Sequence, residues 1–455
     1  MGPYDVSRRL LRGNVALVGL SVVGTGYLGA THAVCLASWG HTVVGVDVDP
    51  ERVARLSRGE PPFHEPGFAE LLRSGLASGH LSFSTNLAEA VDSADVHFVC
   101  VGTPQSADTN AADLRALRDV MAEIGPRLRR SGVVVGRSTV PVGTAAGLLT
   151  DLRRTAPAGA QVRLAWNPEF LREGRAVQDS LHPDRLVVGV DDDDAYETLM
   201  EVYAPLVRTG TTVVRTDLPT AELAKASANV MLAARVSLVN LLAEVCERAG
   251  ADIGDLIAVL RSDPRIGDRF LEPGIGYGGG CLPKDLRAFV ARADELGLGS
   301  ATRLLTEVDA TNLRQRARVV DLAQSLTEGV HDRRVAVLGA AFKAGSDDIR
   351  DSPALDVALR LHALGARVHV HDPLAGDNVR RVHPELRVDD DVETACVGAD
   401  LVLVLTDWGE YRGLDPVSLA SVVAHPRVID GRLVLDPDKW RAAGWRLHAL
   451  GRAAA

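Results

Sequence analysis

The stretch Gly24-Thr-Gly26-Tyr27-Leu28-Gly29 follows directly on the apolar run LSVV, and Asp47 lies 18 residues beyond the last glycine, at the end of the next apolar run, VVGVDVD. Glycines at these three points permit a tight turn, a close backbone approach, and close packing of a helix on a strand, with the positive end of the helix facing the turn. An acid about 20 residues on, at the end of the second strand of a βαβ unit, is placed to bind two ribose hydroxyls. Alone, the glycines would make an ordinary turn and Asp47 a helix cap. Together with the strand and the spacing they predict a dinucleotide site. The charge of Asp47 would repel a 2′-phosphate, which points to NAD rather than NADP.

The rest of the chain extends the same grammar. From Asn14 to about Thr216, short apolar runs (VHFVCVG, GVVVGRSTV, VRLAWNPEF, DRLVVGV) alternate with segments of helical period, the pattern of a parallel sheet covered on both faces. The acidic run Asp191 to Asp194 reads as a solvated loop. Residues 221–249, rich in Ala and Leu and free of Gly and Pro, predict one long helix stopped by Gly250. A second α/β pattern begins near Arg333, with RVAVLGAAF, GARVHVHDP and ADLVLVLTDW as strands, but without a glycine fingerprint. The expected fold is α/β: two Rossmann-like doubly wound domains, 14–216 and 331–455, joined by a central long-helix region, 217–324.

A length of 455 residues calls for more than one core. A formal charge of −10 with scattered basic residues disfavours nucleic acid and anionic membrane as partners. Five widely spaced cysteines, four of them in apolar stretches, fit a reduced compartment, and no cluster has metal-ligand spacing, so no metal is expected. The start of the chain, SRRLLRGNVALVGLSVVGTGYLGA, has the basic-then-apolar order of an export signal, but its apolar run ends in the glycine turn that cleavage would destroy. A cytoplasmic protein without a membrane span is expected.

The fifth cysteine stands in GGGCLPKD, residues 278–285. A thiolate beside cations is a strong nucleophile, and glycines let a substrate approach the backbone, although a buried structural cysteine after a loop would give the same text. Thr139 in STVPVGT and Glu169 and Glu173 in NPEFLREG follow strands, where open α/β sheets place their sites. Lys225 and Asn229 are four apart on the long helix, either a solvated stripe or a pair that steadies an oxyanion.

The series GTGYLG, VGVDVD, VGTP, STVPVGT, NPEFLREG, PDRLVVG, RIGDRFLEPGIGYGGGCLPKD, AAFKAGSDDIRDSPAL, HDP, TDW and DGR covers almost the whole chain in one order. It resembles the UDP-glucose/GDP-mannose dehydrogenase family. The resemblance implies a four-electron oxidation of a nucleotide sugar, UDP-glucose to UDP-glucuronate, using NAD and a cysteine thiohemiacetal and thioester. It implies Cys281 as nucleophile, Asp285 and Thr139 around a water, Glu169 for thioester hydrolysis, and Lys225 and Asn229 for the charged oxygen. Gly24, Gly26, Tyr27, Leu28, Gly29, Asp47, Arg52, Thr103, Thr139, Glu173, Lys284 and Arg350 then correspond to NAD contacts. Glu169, Phe170, Leu171, Lys225, Asn229, Arg265, Phe270, Gly278, Lys343 and Arg432 correspond to sugar-nucleotide contacts, with Arg265 supplied by a partner subunit of a homodimer or larger homo-oligomer.

The sequence departs mildly from the family, with Gly280-Cys281-Leu282 for Ser-Cys-Phe, Arg350-Asp351-Ser352 for Arg-Glu-Ser, and Leu241 where an acid is frequent. A GDP-mannose 6-dehydrogenase shares the Cys-Leu-Pro-Lys-Asp segment, and a catalytically silent NAD-binding scaffold would keep the fold; retention of Cys281, Lys225 and Asp285 disfavours the scaffold.

Overall fold

The computed structural model describes residues 18–129 and 132–453, so the basic-then-apolar start of the chain lies outside the described residues before Val18. The chain divides into two compact units, residues 1–228 and 229–455.

The first unit holds an eight-stranded sheet. In chain order its strands are β1 Gly19–Val23, β2 Thr42–Val46, β3 Leu81–Ser84, β4 Val96–Val99, β5 Val133–Gly136, β6 Arg163–Trp166, β7 Leu186–Val190 and β8 Val213–Thr216. In space the order is β3-β2-β1-β4-β5-β6-β7-β8, which reverses direction at β1. The apolar runs are buried on both faces: Val133 and Val135 of β5 join one core with Leu20, Val22 and Phe98, while Val134 joins the opposite core with Val23, Val99 and Leu164. Double-sided burial is why these strands read as continuous apolar text rather than as an alternation.

All neighbouring pairs are parallel except β6 and β7, which meet antiparallel at Ala165 with Val190 and Trp166 with Gly189. The chain between these two strands contains only a six-residue helix, Ala176–Leu181, too short to carry it back along the sheet. The acidic run is also not a loop. Asp192 caps the helix Asp193–Val202 by accepting from the Ala195 N–H at 2.9 Å, and Asp193 and Asp194 sit in its first turn, where carboxylates complement the exposed N–H groups.

The second unit holds a six-stranded, all-parallel sheet of β9 Arg334–Leu338, β10 Arg367–His371, β11 Arg387–Val388, β12 Leu401–Val404, β13 Arg427–Asp430 and β14 Arg446–Ala449, ordered β11-β10-β9-β12-β13-β14. Again alternate residues feed two cores, Val335 and Val337 on one face, Ala336 and Leu338 on the other. The molecule is thus α/β, with a parallel-strand sheet in each of two units joined by a long helix, as expected.

That helix, Leu218–Ala249, is continuous for 32 residues and ends where Gly250 turns to a φ of 74°. Among the described residues it is the one helix long and apolar enough to cross a membrane by length and composition. Its polar side chains have protein partners, however: Glu222 accepts from Gly143 and Ala145, Lys225 meets Glu169, Asn229 meets Asp285, and Asn240 accepts from Gly274.

Candidate functional site

The glycines of the first turn each have a different physical job. Gly24 adopts a φ of 90° and a Cβ there would lie 2.9 Å from the Val101 backbone nitrogen; a Cβ on Gly29 would lie 1.8 Å from the Gly24 carbonyl oxygen. Both are demanded by the protein's own packing. A Cβ on Gly26, at the start of the helix Tyr27–Ser38, would meet nothing within 4 Å, so the backbone there is open toward the helix N-terminus. That is the room a pyrophosphate requires.

Asp47 follows β2 directly. Its carboxylate accepts from the Thr25 N–H at 2.8 Å, the Thr25 hydroxyl at 3.1 Å and the Asp49 N–H at 3.1 Å, and both oxygens stand 3.1 Å from the Arg52 guanidinium. Burial alone would push its carboxyl upward, but these N–H groups and the Arg52 charge outweigh it and leave the acid below its ordinary range. Thr103 donates its hydroxyl to the Thr139 carbonyl at 2.7 Å, which ties the loops after β4 and β5 together. The open turn, the ionised acid and the adjacent strand ends fit a dinucleotide.

Tyr27 projects from the turn to Glu65, to which its hydroxyl donates, and it accepts from the Gly174 N–H at 2.8 Å. Glu65 in turn accepts from Val177 at 3.1 Å. Glu65 was not anticipated from sequence; its buried place in HEPG becomes visible only through partners more than 35 residues away.

Beyond β6 the NPEFLREG loop brings Glu169 to Lys225. The Lys225 ammonium lies 3.0 Å from Glu169 Oε1, and Oε2 accepts from the Leu171 N–H at 2.6 Å. Burial raises the Glu169 carboxyl, yet the Lys225 charge and the Leu171 N–H reverse that, so it stays ionised to lower pH than an ordinary glutamate. The Phe170 ring has the Arg185 guanidinium over it at 4.0 Å and the Lys225 ammonium at 5.6 Å. Arg185, in PDRLVVG, is a further cation that single-residue reading missed. Glu173 and Leu28 are half-buried near these elements.

In the second unit Cys281 is exposed and immediately precedes the helix Leu282–Glu295, whose first turn contains Pro283, Lys284 and Asp285. Pro283 in the first turn is the helix signal that the sequence offers here. A helix N-terminus favours a developing anion. The other four cysteines are buried, as expected. Asp285 is buried below the thiol's helix end, accepting from Asn229 at 2.6 Å and from Lys284 at 2.5 Å.

The glycines before Cys281 serve the protein's own chain. A Cβ on Gly278 would lie 2.2 Å from the Asp351 carbonyl oxygen, one on Gly279 would strike the Phe342 ring, and the Gly279 N–H donates to the Arg350 carbonyl at 3.0 Å. Arg350 itself pairs with Asp348 at 2.6 Å. Arg432 follows β13 and donates to the carbonyls of Leu405 at 3.0 Å and Gly276 at 3.1 Å. Lys343 lies 5.5 Å from the Phe342 ring and Phe270 is half-buried at a φ of 58°. The Arg265 side chain is 89% exposed and pairs with its near neighbour Asp263 at 2.6 Å.

The missing fingerprint of the second sheet has a structural counterpart. Asp372, after β10, stands where Asp47 stands after β2, and it accepts from Ala340 at 2.7 Å, Ala341 at 2.9 Å and the Trp408 indole at 3.1 Å. The N–H groups of that first βα turn are therefore already taken by the protein. Among the described residues no group of three or more His, Cys, Asp or Glu could hold a metal ion.

Comparison with known proteins gives the same picture over the whole chain. Residues 18–207 match the NAD binding domain of the UDP-glucose/GDP-mannose dehydrogenase family, residues 219–314 its central domain, and residues 336–437 its UDP binding domain. A UDP-glucose 6-dehydrogenase of Bacillus subtilis is 37% identical over 96% of this chain and 98% of its own, and one of Haloferax volcanii is 41% identical over 91% and 97%. Among solved structures, a UDP-glucose dehydrogenase from Pyrobaculum islandicum superposes with a TM-score of 0.89 at 36% identity, covering 100% of both chains, and a UDP-D-ManNAc dehydrogenase from Pyrococcus horikoshii with 0.85 at 26%, covering 96% of this chain and 100% of its own. The chain belongs to the UDP-glucose/GDP-mannose dehydrogenase family and is an NAD-dependent nucleotide-sugar 6-dehydrogenase.

Proposed function

We propose that the substrate is UDP-glucose and that Cys281 carries the oxidation to UDP-glucuronate through a thioester. The substrate reading rests on the relatives of nearly full length that bear the name UDP-glucose 6-dehydrogenase. The cysteine reading rests on one observation, the exposed Cys281 thiol at the N-terminus of a helix whose first turn buries Asp285.

When bound, NAD supplies the hydride acceptor. In the first half of the reaction the C6 alcohol loses a proton and a hydride to become an aldehyde. Cys281 Sγ then adds to that carbon, giving a thiohemiacetal; loss of its hydroxyl proton and a second hydride leaves a thioester, and water releases the carboxylate and the free thiol. Lys225 and Asn229 are the donors for the oxygen as it gains charge, a role that calls for fixed cations and amides in a site poor in water. Asp285 and Thr139 hold a water and help remove protons, and Glu169, kept ionised by Lys225, is the base that directs water onto the thioester. Asp47, Arg52, Thr103, Tyr27, Leu28, Glu173, Lys284 and Arg350 are assigned to NAD, and Phe170, Leu171, Phe270, Gly278, Lys343, Arg432 and a partner subunit's Arg265 to the sugar nucleotide. Residues 217–324 are proposed as the association segment between 14–216 and 331–455.

The test counts NADH per sugar consumed, with limiting UDP-glucose, GDP-mannose or UDP-N-acetylmannosamine in separate reactions. Two NADH per UDP-glucose are expected, and from Cys281→Ser at most a slow formation of aldehyde with turnover reduced by about a thousandfold or more. Two NADH from another sugar nucleotide alone would move the substrate. Full stoichiometry and rate in Cys281→Ser would end the thioester reading.

A further inference from the structure

Thr139 and Glu169 each stand two positions beyond a member of one buried polar cluster. Arg137 follows β5 and Asn167 follows β6, and both side chains are buried. The Arg137 guanidinium donates to Asn167 Oδ1 and, at 2.9 Å, to the Tyr203 hydroxyl. That hydroxyl donates to Asn167 Oδ1 at 2.6 Å, and Asn167 Nδ2 donates to the Val187 carbonyl of β7 at 2.7 Å. His32 Nε2 lies 3.5 Å from the same hydroxyl.

Among the described residues every hydrogen-bond partner of this buried cation is neutral, and its Nε has no partner. A buried charge without a counter-ion costs several kcal/mol, and an apolar side chain of similar volume is commonly tolerated or stabilising in its place. Asn167 does not depend on it either, because Tyr203 and Val187 already satisfy the amide at both ends. The hydrogen bonds of the cluster link the ends of β5 and β6, but they do not by themselves require that the donor be a cation. What the position does offer is a fixed positive charge at the root of the two loops that carry Thr139 and Glu169.

We infer that Arg137 is a positioning residue for the proposed hydrolytic step: bridging the ends of β5 and β6, it holds the Thr139 and Glu169 loops in fixed relation and supplies positive charge to the Glu169 carboxylate. The inference rests on the role proposed above for Glu169. Lys225 at 3.0 Å and the Leu171 N–H at 2.6 Å contact this carboxylate; Arg137, from the end of β5, acts on it through its charge, and the Cys100 thiol after β4, which burial pushes up to about 12, stays neutral; Arg185 lies over the neighbouring Phe170. Burial raises the Glu169 carboxyl, Lys225 and Arg137 both lower it, and the net direction is down. The base form is thus present at neutral pH and is lost as pH falls; removing Arg137 moves that loss to higher pH.

The experiment measures kcat for NADH formation from UDP-glucose against pH, with melting temperature, for Arg137→Met, Arg137→Lys and Glu169→Gln. Arg137→Met is expected to raise the acid limb of kcat by about half a pH unit or more, to lower neutral kcat by about tenfold, and to leave the KM for sugar within about threefold and the melting temperature unchanged or higher. Arg137→Lys restores the limb. If Arg137→Met cannot be recovered folded, Arg137→Gln, which still donates to Asn167, carries the same expectation. An acid limb unmoved in Arg137→Met, or activity that falls only in step with melting temperature, overturns the inference. Glu169→Gln separates the two readings. A limb that survives this change removes the role of Glu169, whereas one that disappears here but stays put in Arg137→Met removes only that of Arg137.

Discussion

At the scale of single residues, Asp47 and Arg52 are the pair proposed to set which dinucleotide the first turn accepts. Arg52 is held 3.1 Å from both Asp47 oxygens, so its charge is spent on the acid that would bind the ribose hydroxyls. Asp47→Ser removes that acid and leaves Arg52 with only the more distant carboxylate of Asp49, at 3.6 Å, so that its charge is less fully opposed. We expect KM for NAD to rise by about tenfold or more, the loss of one or two charged hydrogen bonds, and NADP, poor in the parent, to become the better of the two. Steady-state kinetics with each cofactor check this; an unchanged preference would show that neither residue reads the ribose. The Asp47 position could be read from sequence because strand, turn and acid lie within one βαβ unit. Glu65, Arg185 and Arg137 could not, because their partners Tyr27, Phe170 and Asn167 stand 38, 15 and 30 residues away along the chain, and only the folded sheet makes them neighbours.

At the scale of elements, the long helix anchors a second one through Glu222. That carboxylate is buried and accepts from the Gly143 N–H at 2.7 Å and the Ala145 N–H at 2.6 Å, at the start of the helix Thr144–Thr155, where Gly143 itself brings no side-chain cap. Glu222→Ala leaves the buried Ala145 N–H and the partly buried Gly143 N–H without their acceptor and should cost about 1–2 kcal/mol, read as a lower urea midpoint, while Glu222→Gln, which keeps one acceptor, should fall between. A midpoint unchanged in Glu222→Ala would mean that water replaces the carboxylate. The strands and the long helix were legible because double-sided burial and helix propensity write themselves locally. The antiparallel pairing of β7 was not, because strand direction depends on the path of residues 167–185 rather than on the composition of the strand. The helix that begins just after Cys281 was not read from sequence, because its signal lay in Pro283 alone.

At the scale of the whole molecule, the same helix carries an exposed apolar face, proposed as the surface for a second copy. Met231, Leu238, Leu241 and Val245 are exposed at spacings of seven, three and four, one face of a helix, with Met231 73% and Leu238 56% exposed. Apolar residues in that order form the seam of helix pairs, and Leu241 is apolar where the family frequently has an acid. In a twofold dimer each residue of the seam occurs twice, so a single glutamate introduces two charges into one interface. Leu238→Glu is therefore expected to weaken association by about a hundredfold or more and to give monomers in sedimentation at micromolar concentration. If Arg265 serves the partner's substrate, activity should fall with the dimer, and two inactive variants should rescue each other. Mixed and reassociated Arg265→Ala and Cys281→Ser chains form mixed dimers with one intact site, so about a quarter of wild-type activity should return. Recovery of nothing, from mixtures in which mixed dimers are verified, would place Arg265 outside the partner's site, and a Leu238→Glu protein that sediments like the parent would place the interface elsewhere.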